Sequence, residues 1–556
     1  PVSHAINSIN PLLRCAFSSA SVFSLCLIEN TSINQIFQNT YLPVINDVIN
    51  KHIRNQLPIF LLDLESMQLI RRSAVTMLLK DKIEEYETEC MSMAIQKEDL
   101  HSSTEEWIKA ETRYAILSHR WLSNGELAFK DVSKFADHRD TFRELVNFVS
   151  PSGGKHIMNE VTGLAMNNAN NTKDNPVQLK DDMRRVYKIL FPANQNQPLL
   201  PSFMKLIIFF WISTQYSSRF VWFDTGCINK SSSVELEESI RSIFDWYSNS
   251  KICIVHLADT TDVLSLHEDQ WFTRGWTLQE LLAPKKVKFF GKSWKPITTY
   301  SFDDDKNLEG PDSNLHDHLW NHISNITEIS RKRIFDFKPG IHQARDALVW
   351  LSKRRTTRIE DMAYCLIGLL GIPLSIAYGE GEMAFYRLQV EILQQSPDMG
   401  LFVWEGRPAI GNSMLAAGPD CFSSLALQPL VPQMPSGDMD DEDRSYSITN
   451  LGLRITLSVY WMPSGKWHMK NDRLGVPEIT LDVEKLGCIT VPLQTRGDYK
   501  FVEIAVLGKV EGQSTKQKHD IAILLGFQDG WWKRISKGHI TLSCSIDTHL
   551  RKRFIR

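Results

Sequence analysis

The chain changes its hydrophobic rhythm three times, and each change predicts a different structure. Over residues 1–109 apolar positions recur every three or four residues. INDVINKHIRNQ and AVTMLLKDKIEEYETECMSMAI carry this spacing and are rich in strong helix formers. Between them LPIFLLDL (57–64) is a short apolar run of strand length. From Arg113 the rhythm shifts. YAILSHRW (114–121) and FVWFDTGCINK (220–230) start as apolar runs and end in polar residues, and SKICIVHLAD (250–259) and KKVKFFG (285–291) are further runs of strand length. VELEESIRSIFDWYSN (234–249) is amphipathic, with Ile240, Ile243, Phe244 and Tyr247 along one stripe, and WTLQELLA is a short helix. Strands alternating with helices over 113–291 predict a parallel α/β sheet with helices on its faces. The polar segment SGGKHIMNEVTGLAMNNANNTKDNP (152–176) reads as an exposed insertion.

Residues 341–395 return to the helical rhythm in ARDALVWLSKR, IEDMAYCLIGLLG and GEGEMAFYRLQVEILQQ. The acidic MPSGDMDDEDRS (434–445) reads as a linker. Beyond it, short alternating runs such as GLRITLSVYWM, KFVEIAVLG and DIAILLGF predict a sandwich or barrel. The division that follows is a helical region at 1–109, an α/β domain at 110–291 with an insertion near 150–180, a helical extension at 292–405, and an all-β domain at 406–556.

Composition narrows the function classes. A chain of 556 residues is too long for one core, so several domains are expected. The formal net charge of -3 gives no global field toward nucleic acid or an anionic membrane. The basic end HLRKRFIR reads as a solvated tail. Nine scattered cysteines with no C-x-x-C suit neither a disulfide framework nor a zinc finger. No cluster of His, Cys and Asp has metal-ligand spacing, so no metal is expected. CAFSSASVFSLCLI (15–28) is a poor signal core with Arg14 as its only upstream basic residue, and LIIFFWI (206–212) reads as a buried helix segment. A cytoplasmic protein without a membrane span is the expectation.

In open α/β sheets ligands bind beyond the carboxyl ends of the strands. Those ends carry Ser118, His119, Arg120, Asp224, Asn229 and Asp259. YAILSHRW, WFDTGCINKSSSVELEESIRSIFDWYSNSKICIVHLAD and WFTRGWTLQELLAPKKVKFF together resemble the fungal heterokaryon-incompatibility (HET) domain, in order, across 113–291. ARDALVWLSKRRTTRIEDMAYCLIGLLGIPLSIAYGEGEMAFYRLQVEIL is similar to the segment that commonly follows that domain. Two positions depart from the pattern, Lys230 where many relatives have Gln and Leu122 where they have Gly. No G-x-x-x-x-G-K-[ST] phosphate loop occurs. The resemblance implies an effector of cell death after non-self recognition, a TIR-like, flavodoxin-like parallel sheet, and partners among further copies of the domain, an incompatibility partner or an NLR-type sensor.

HET domains are distantly similar to TIR domains, whose Trp-Cys-x-x-Glu helix after the third strand carries the glutamate needed to cleave NAD⁺. Trp276 to Glu280 has that spacing and place, with Thr277 at the Cys position. The resemblance makes Glu280 the candidate catalytic residue, with NAD⁺ as substrate and no resident cofactor. Trp271 or Trp276 would stack a ring and Arg120 or Arg274 would pair with the pyrophosphate. Other readings stay open. Trp276 suits a core position, and Arg274 suits an ion pair with Glu280 or Asp224. Asp224 suits either a turn cap or the site wall, and His119 a wall position. Ser118 and His119 point apart on a strand and make no nucleophile pair. Glu235 suits a helix N-terminus, Cys227 and His256 the core, and GEGEMAF a turn with a cap rather than a phosphate site. A domain that only assembles death factors is the alternative to an enzyme. In a weaker reading the all-β domain senses the non-self ligand and restrains the HET domain.

Overall fold

The computed structural model describes residues 37–92, 97–122, 125–140, 200–298, 313–423, 446–484, 486–511, 518–542 and 549–555. The segment 15–28, the insertion at 152–176 and the acidic 434–445 lie outside them. Six strands form the central sheet: β1 (Phe60–Asp63), β2 (Gln68–Arg71), β3 (Tyr114–His119), β4 (Phe220–Trp222), β5 (Ile252–His256) and β6 (Val287–Phe290). Their order is β2-β1-β4-β3-β5-β6. β4, β3, β5 and β6 are mutually parallel, and the strand order reverses direction between β3 and β5. That reversal opens a crevice at their carboxyl ends.

The two strands on one side of the sheet, β1 and β2, come from the region expected to be helical. The apolar run at 57–64 forms β1, which turns back through 64–67 into β2 and pairs antiparallel with β4. Asp63, buried, fixes the turn by accepting the Ser66 hydroxyl at 2.7 Å, and pairs with Arg219 at 3.1 Å beside β4. The sheet therefore draws on residues from both sides of position 110. The remaining described N-terminal residues are largely helical, including α1 (Leu42–Gln56) and α2 (Lys97–Glu111), which pack together.

Every residue of β3 is buried, because helices cover both sides of the sheet. Successive side chains alternate between faces. Tyr114, Ile116 and Ser118 meet α4 (Ser233–Asn249) and α5 (Thr277–Leu282), while His119 meets α3 (Leu200–Gln215). α3 is apolar on most sides, as its run FMKLIIFFWI predicts, and packs Phe209 and Phe210 against Phe223. On α4 the stripe Ile240, Ile243, Phe244 and Tyr247 is buried. Among the described residues no helix is long and apolar enough to cross a membrane.

α6 (Ala344–Ser352) and α7 (Met383–Gln395) belong to the helical extension. After it a hairpin, β7 (Pro408–Ala409) and β8 (Asn412–Ala416), leads to the all-β region: β9 (Ser447–Thr449), β10 (Gly452–Met462), β11 (Trp467–Asn471), β12 (Pro477–Val483), β13 (Gly487–Pro492), β14 (Phe501–Glu511), β15 (Lys518–Gln528), β16 (Trp531–Arg534), β17 (Ile540–Leu542) and β18 (His549–Ile555). β14 pairs with both β10 and β15, so β14-β10-β18-β16-β15 closes into a ring. The small sheet β11-β12-β13 packs on the ring through Ile479, Leu481 and Val491. The basic end is not a solvated tail. As β18 it pairs with β10 from Leu453↔Ile555 to Val459↔His549, and Arg553 grips the buried Glu503. Ile555 is buried at its end while Arg551 and Lys552 stay exposed. Arg534 ties the ring to the rest of the chain, donating to the carbonyls of Phe402 (2.8 Å) and Trp404 (2.7 Å).

Candidate functional site

The site is assembled at the carboxyl ends of β3, β4 and β5. Glu280 extends from α5, the short helix that follows β5. Its residue surface is partly exposed, yet its carboxylate is crowded by protein atoms, and burial pushes its pKa up to about 7. The Ser118 hydroxyl donates to Glu280 and accepts the Trp271 indole N–H at 2.8 Å. The Tyr247 hydroxyl and the charge of Arg274 also favour the ionised form, while Asp224 opposes it. Glu280 has no ion pair among the described residues, so its charge is held by hydrogen bonds and an incompletely buried position.

The opposite face of β3 carries a second polar group. The His119 side chain is only 1% exposed, and its Nε2 lies 3.8 Å from Glu126 and 3.9 Å from Asp224. These separations are too long for hydrogen bonds, and His119 Nε2 and Asp224 Oδ1 both lack a partner. Burial, reinforced by Lys205, holds His119 well below its usual pKa, so the ring is neutral. Glu126 is satisfied elsewhere, by Lys205 (2.5 Å), the Ser202 hydroxyl (2.6 Å) and the Leu122 N–H (2.7 Å). Asp224 accepts the indole N–H of Trp121 at 2.7 Å, and burial raises its pKa. It lines the site rather than capping the turn that follows it.

The sequence candidates separate on this frame. Arg274 acts on Glu280, His119 and Asp224, Asp224 acts on Glu280, and Asp224 lies 3.9 Å from His119, so the four gather at this end of the sheet. Arg274 forms no hydrogen bond or ion pair through its guanidinium among the described residues, so the ion-pair reading of it does not hold. Arg120 is engaged by Asp259 at 3.2 Å, across the β3/β5 crevice. Trp271 has no exposed face: it packs edge-on against Phe272 and Phe289, so it cannot stack a ligand and serves through its N–H. Trp276 is half-buried against the core and favours the ionised form of Asp361 through a hydrogen bond. The ring left exposed at the site is Trp121, 44% exposed, which no local pattern marks out from the other tryptophans.

A strap from the helical extension completes the site. Residues 354–356 run beside 273–275, with Gly275 N–H donating to the Arg355 carbonyl (2.9 Å) and Arg355 N–H to the Thr273 carbonyl (2.7 Å). The buried Arg354 donates to the Arg274 carbonyl and the Thr277 hydroxyl, both at 2.9 Å, and so fixes the turn that launches α5. Periodicity shows KRRTTR only as a polar end to a helix; nothing in it tells which loop those arginines meet.

The minor expectations resolve similarly. Ser232, not Glu235, caps α4, while Glu235 binds Asn229 at 3.0 Å and Arg71 at 2.8 Å. Cys227 is a packed thiol whose pKa burial raises to about 12. His256 stacks on Trp294 with ring centroids 4.2 Å apart. In GEGEMAF, the Gly379 and Gly381 N–H groups donate to Glu360 at 2.8 and 3.2 Å, so the chain's own carboxylate occupies that turn. Among the described residues Cys90, Cys227, Cys253, Cys365 and Cys421 are buried and Cys488 is exposed.

Over 186 residues, 31% of the chain, the sequence is 38% identical to the vegetative incompatibility protein HET-E-1 of Podospora anserina. The matched stretch spans 12% of that relative's length. No family model matches the chain, and no solved structure matches it.

Proposed function

We propose that this chain is an effector of vegetative incompatibility whose α/β domain cleaves NAD⁺ in the manner of TIR-domain enzymes, with Glu280 as the catalytic carboxylate. The observation that carries this reading is the placement of Glu280. It follows the third parallel strand, its surface is partly exposed, and it is held by Ser118 with no ion pair among the described residues. A glutamate that only stabilised the fold would be paired with the nearby Arg274.

The chemistry fits such a group. The bond between nicotinamide and ribose breaks with its electron pair going to the nicotinamide nitrogen, which neutralises that ring. Positive charge builds on the ribose, and a fixed carboxylate beside it stabilises the oxocarbenium ion. Water adds to the anomeric carbon and loses a proton, giving ADP-ribose, nicotinamide and H⁺. Nicotinamide leaves readily, so Glu280 serves in its ionised form.

The test is an NAD⁺-cleavage assay on the purified full chain at high protein concentration, beside Glu280→Gln. Nicotinamide released by the wild type and at least about a hundredfold more slowly by the variant is the expected result. No release from either protein, with killing of fungal cells intact in the variant, would move the function to assembly of other death factors.

A further inference from the structure

We infer that Arg354 and Trp271 are positioning residues for Glu280, set in a one-way chain of hydrogen bonds that starts on the strap, passes through Thr277, Trp271 and Ser118, and ends on the Glu280 carboxylate. The inference rests on the reading of Glu280 as the working group and adds what holds it in place. Arg354, Thr277, Trp271 and Ser118 are all buried, and only Glu280 at the end of the chain reaches the surface.

The direction of the chain follows from groups that can only donate. A guanidinium has no acceptor atom, so the Thr277 hydroxyl must accept from Arg354, 2.9 Å away. Its own hydrogen then goes to the nearer of two carbonyls, that of Trp271 at 2.6 Å rather than that of Arg274 at 2.9 Å. Trp271 is also held by its backbone N–H, which donates to the buried Asp269 at 2.9 Å. Asp269 is fixed in turn by the Asp259 N–H at 2.8 Å and the Thr260 hydroxyl at 3.1 Å. The indole N–H is donor only as well, so the Ser118 oxygen must accept from it at 2.8 Å. That leaves the single Ser118 hydrogen for Glu280. A serine without the indole partner would rotate its hydroxyl and donate to Glu280 only part of the time. A donor aimed at a carboxylate favours the ionised form. The other groups facing Glu280 are Tyr247 on α4, Cys253 on β5, Asp224 after β4, Arg274 before α5 and the charge of Arg354. All of them stay in place when the chain is cut at Thr277, Trp271 or Ser118.

The experiment reads the protonation of Glu280 without turnover. Urea denaturation of the full chain across a pH series from mild acid to mild base, beside the same protein carrying Glu280→Gln, gives a stability difference that levels off above the folded-state pKa of Glu280. Trp271→Phe keeps a ring and removes the N–H, and Ser118→Ala, a smaller change, removes the hydroxyl. Each should move that break upward by about one pH unit. Thr277→Val cuts the chain while leaving the Arg354 charge in place, and should move the break the same way by less. A break left where it stands in the wild type by Ser118→Ala, by Trp271→Phe or by Thr277→Val would overturn the inference, whatever the melting temperature does. The two proposals fail separately. Shifted breaks with no nicotinamide released by the wild type keep the chain and remove its catalytic use, whereas release with unshifted breaks keeps the catalytic reading and removes the chain.

Discussion

At the residue scale, the pKa of Glu280 is the feature open to the sharpest test. Burial raises it from 4.5 to about 7. Between those values the folded chain holds a proton at Glu280 that the unfolded chain has released. That contribution to stability is complete below 4.5 and is lost as pH rises through about 7. Glu280→Gln removes it. The variant should therefore gain stability relative to the wild type between pH 5 and pH 8, by on the order of 2 kcal/mol, since a pKa rise of one corresponds to about 1.4 kcal/mol. Urea denaturation of both proteins at the two pH values reads this directly. Using the difference cancels His119, whose lowered pKa acts in the opposite sense over part of this range. A difference that does not change with pH would mean that Glu280 is solvated like a surface carboxylate. Single residues also show what the sequence withheld. Glu280 was legible as a candidate through the resemblance of Trp276–Glu280 to the TIR Trp-Cys-x-x-Glu helix, but that Trp271 faces inward and Trp121 outward was not, because tryptophan is equally at home in a core or at a site.

At the scale of elements, the contact between the α5 turn and the strap decides whether the site exists. Gly275 has no room for a side chain, since a Cβ there would lie 2.6 Å from Cγ2 of Thr356. Gly275→Ala should destabilise the protein by about 1–2 kcal/mol by wedging the two segments apart. Thr356→Ser removes the methyl group in conflict and should recover most of that loss in the double variant. Thermal denaturation of the four proteins of this cycle measures the coupling, and additive effects would show that the two segments do not bear on each other. The sequence displayed the RGWTLQE turn and the KRRTTR strap as separate features. Their pairing joins residues about eighty positions apart, and hydrophobic periodicity carries no signal over such a distance.

At the scale of the whole molecule, the predicted blocks do not act as independent bodies. The main core runs without a break from Ile45 to Ile555, through the central sheet, the extension and the β ring. β1 covers the edge of β4, and its Leu61 and Leu62 are fully buried. A chain shortened to 110–556 would lose β1 and β2, expose the backbone of β4 and open that core. Unpaired strand edges promote association, so the shortened chain should elute as aggregates in size-exclusion chromatography where the full chain elutes as a discrete species. A discrete, folded 110–556 with an unchanged melting temperature would show that β1 and β2 are dispensable.

The sequence by itself determined the kinds of element and their order. The two-residue alternation of GLRITLSVYWM, the helical stripe of 234–249 and the apolar runs of 114–117 and 252–255 each fix a local conformation through neighbours a few positions away. It also carried the Trp276-to-Glu280 spacing through which the resemblance to TIR domains singles out Glu280. What covers each apolar face was decided only in the folded chain. The hairpin from 57–71 could complete this sheet or stand apart, and the basic end could remain in water or become β18. Those choices depend on which distant surface offers unpaired backbone groups and matching shape. The site has the same origin. Ser118 meets Glu280, and Arg274 acts on Glu280 and Asp224 without an ion pair among the described residues, because the sheet, the strap and α4 close around them, and no local pattern encodes that closure.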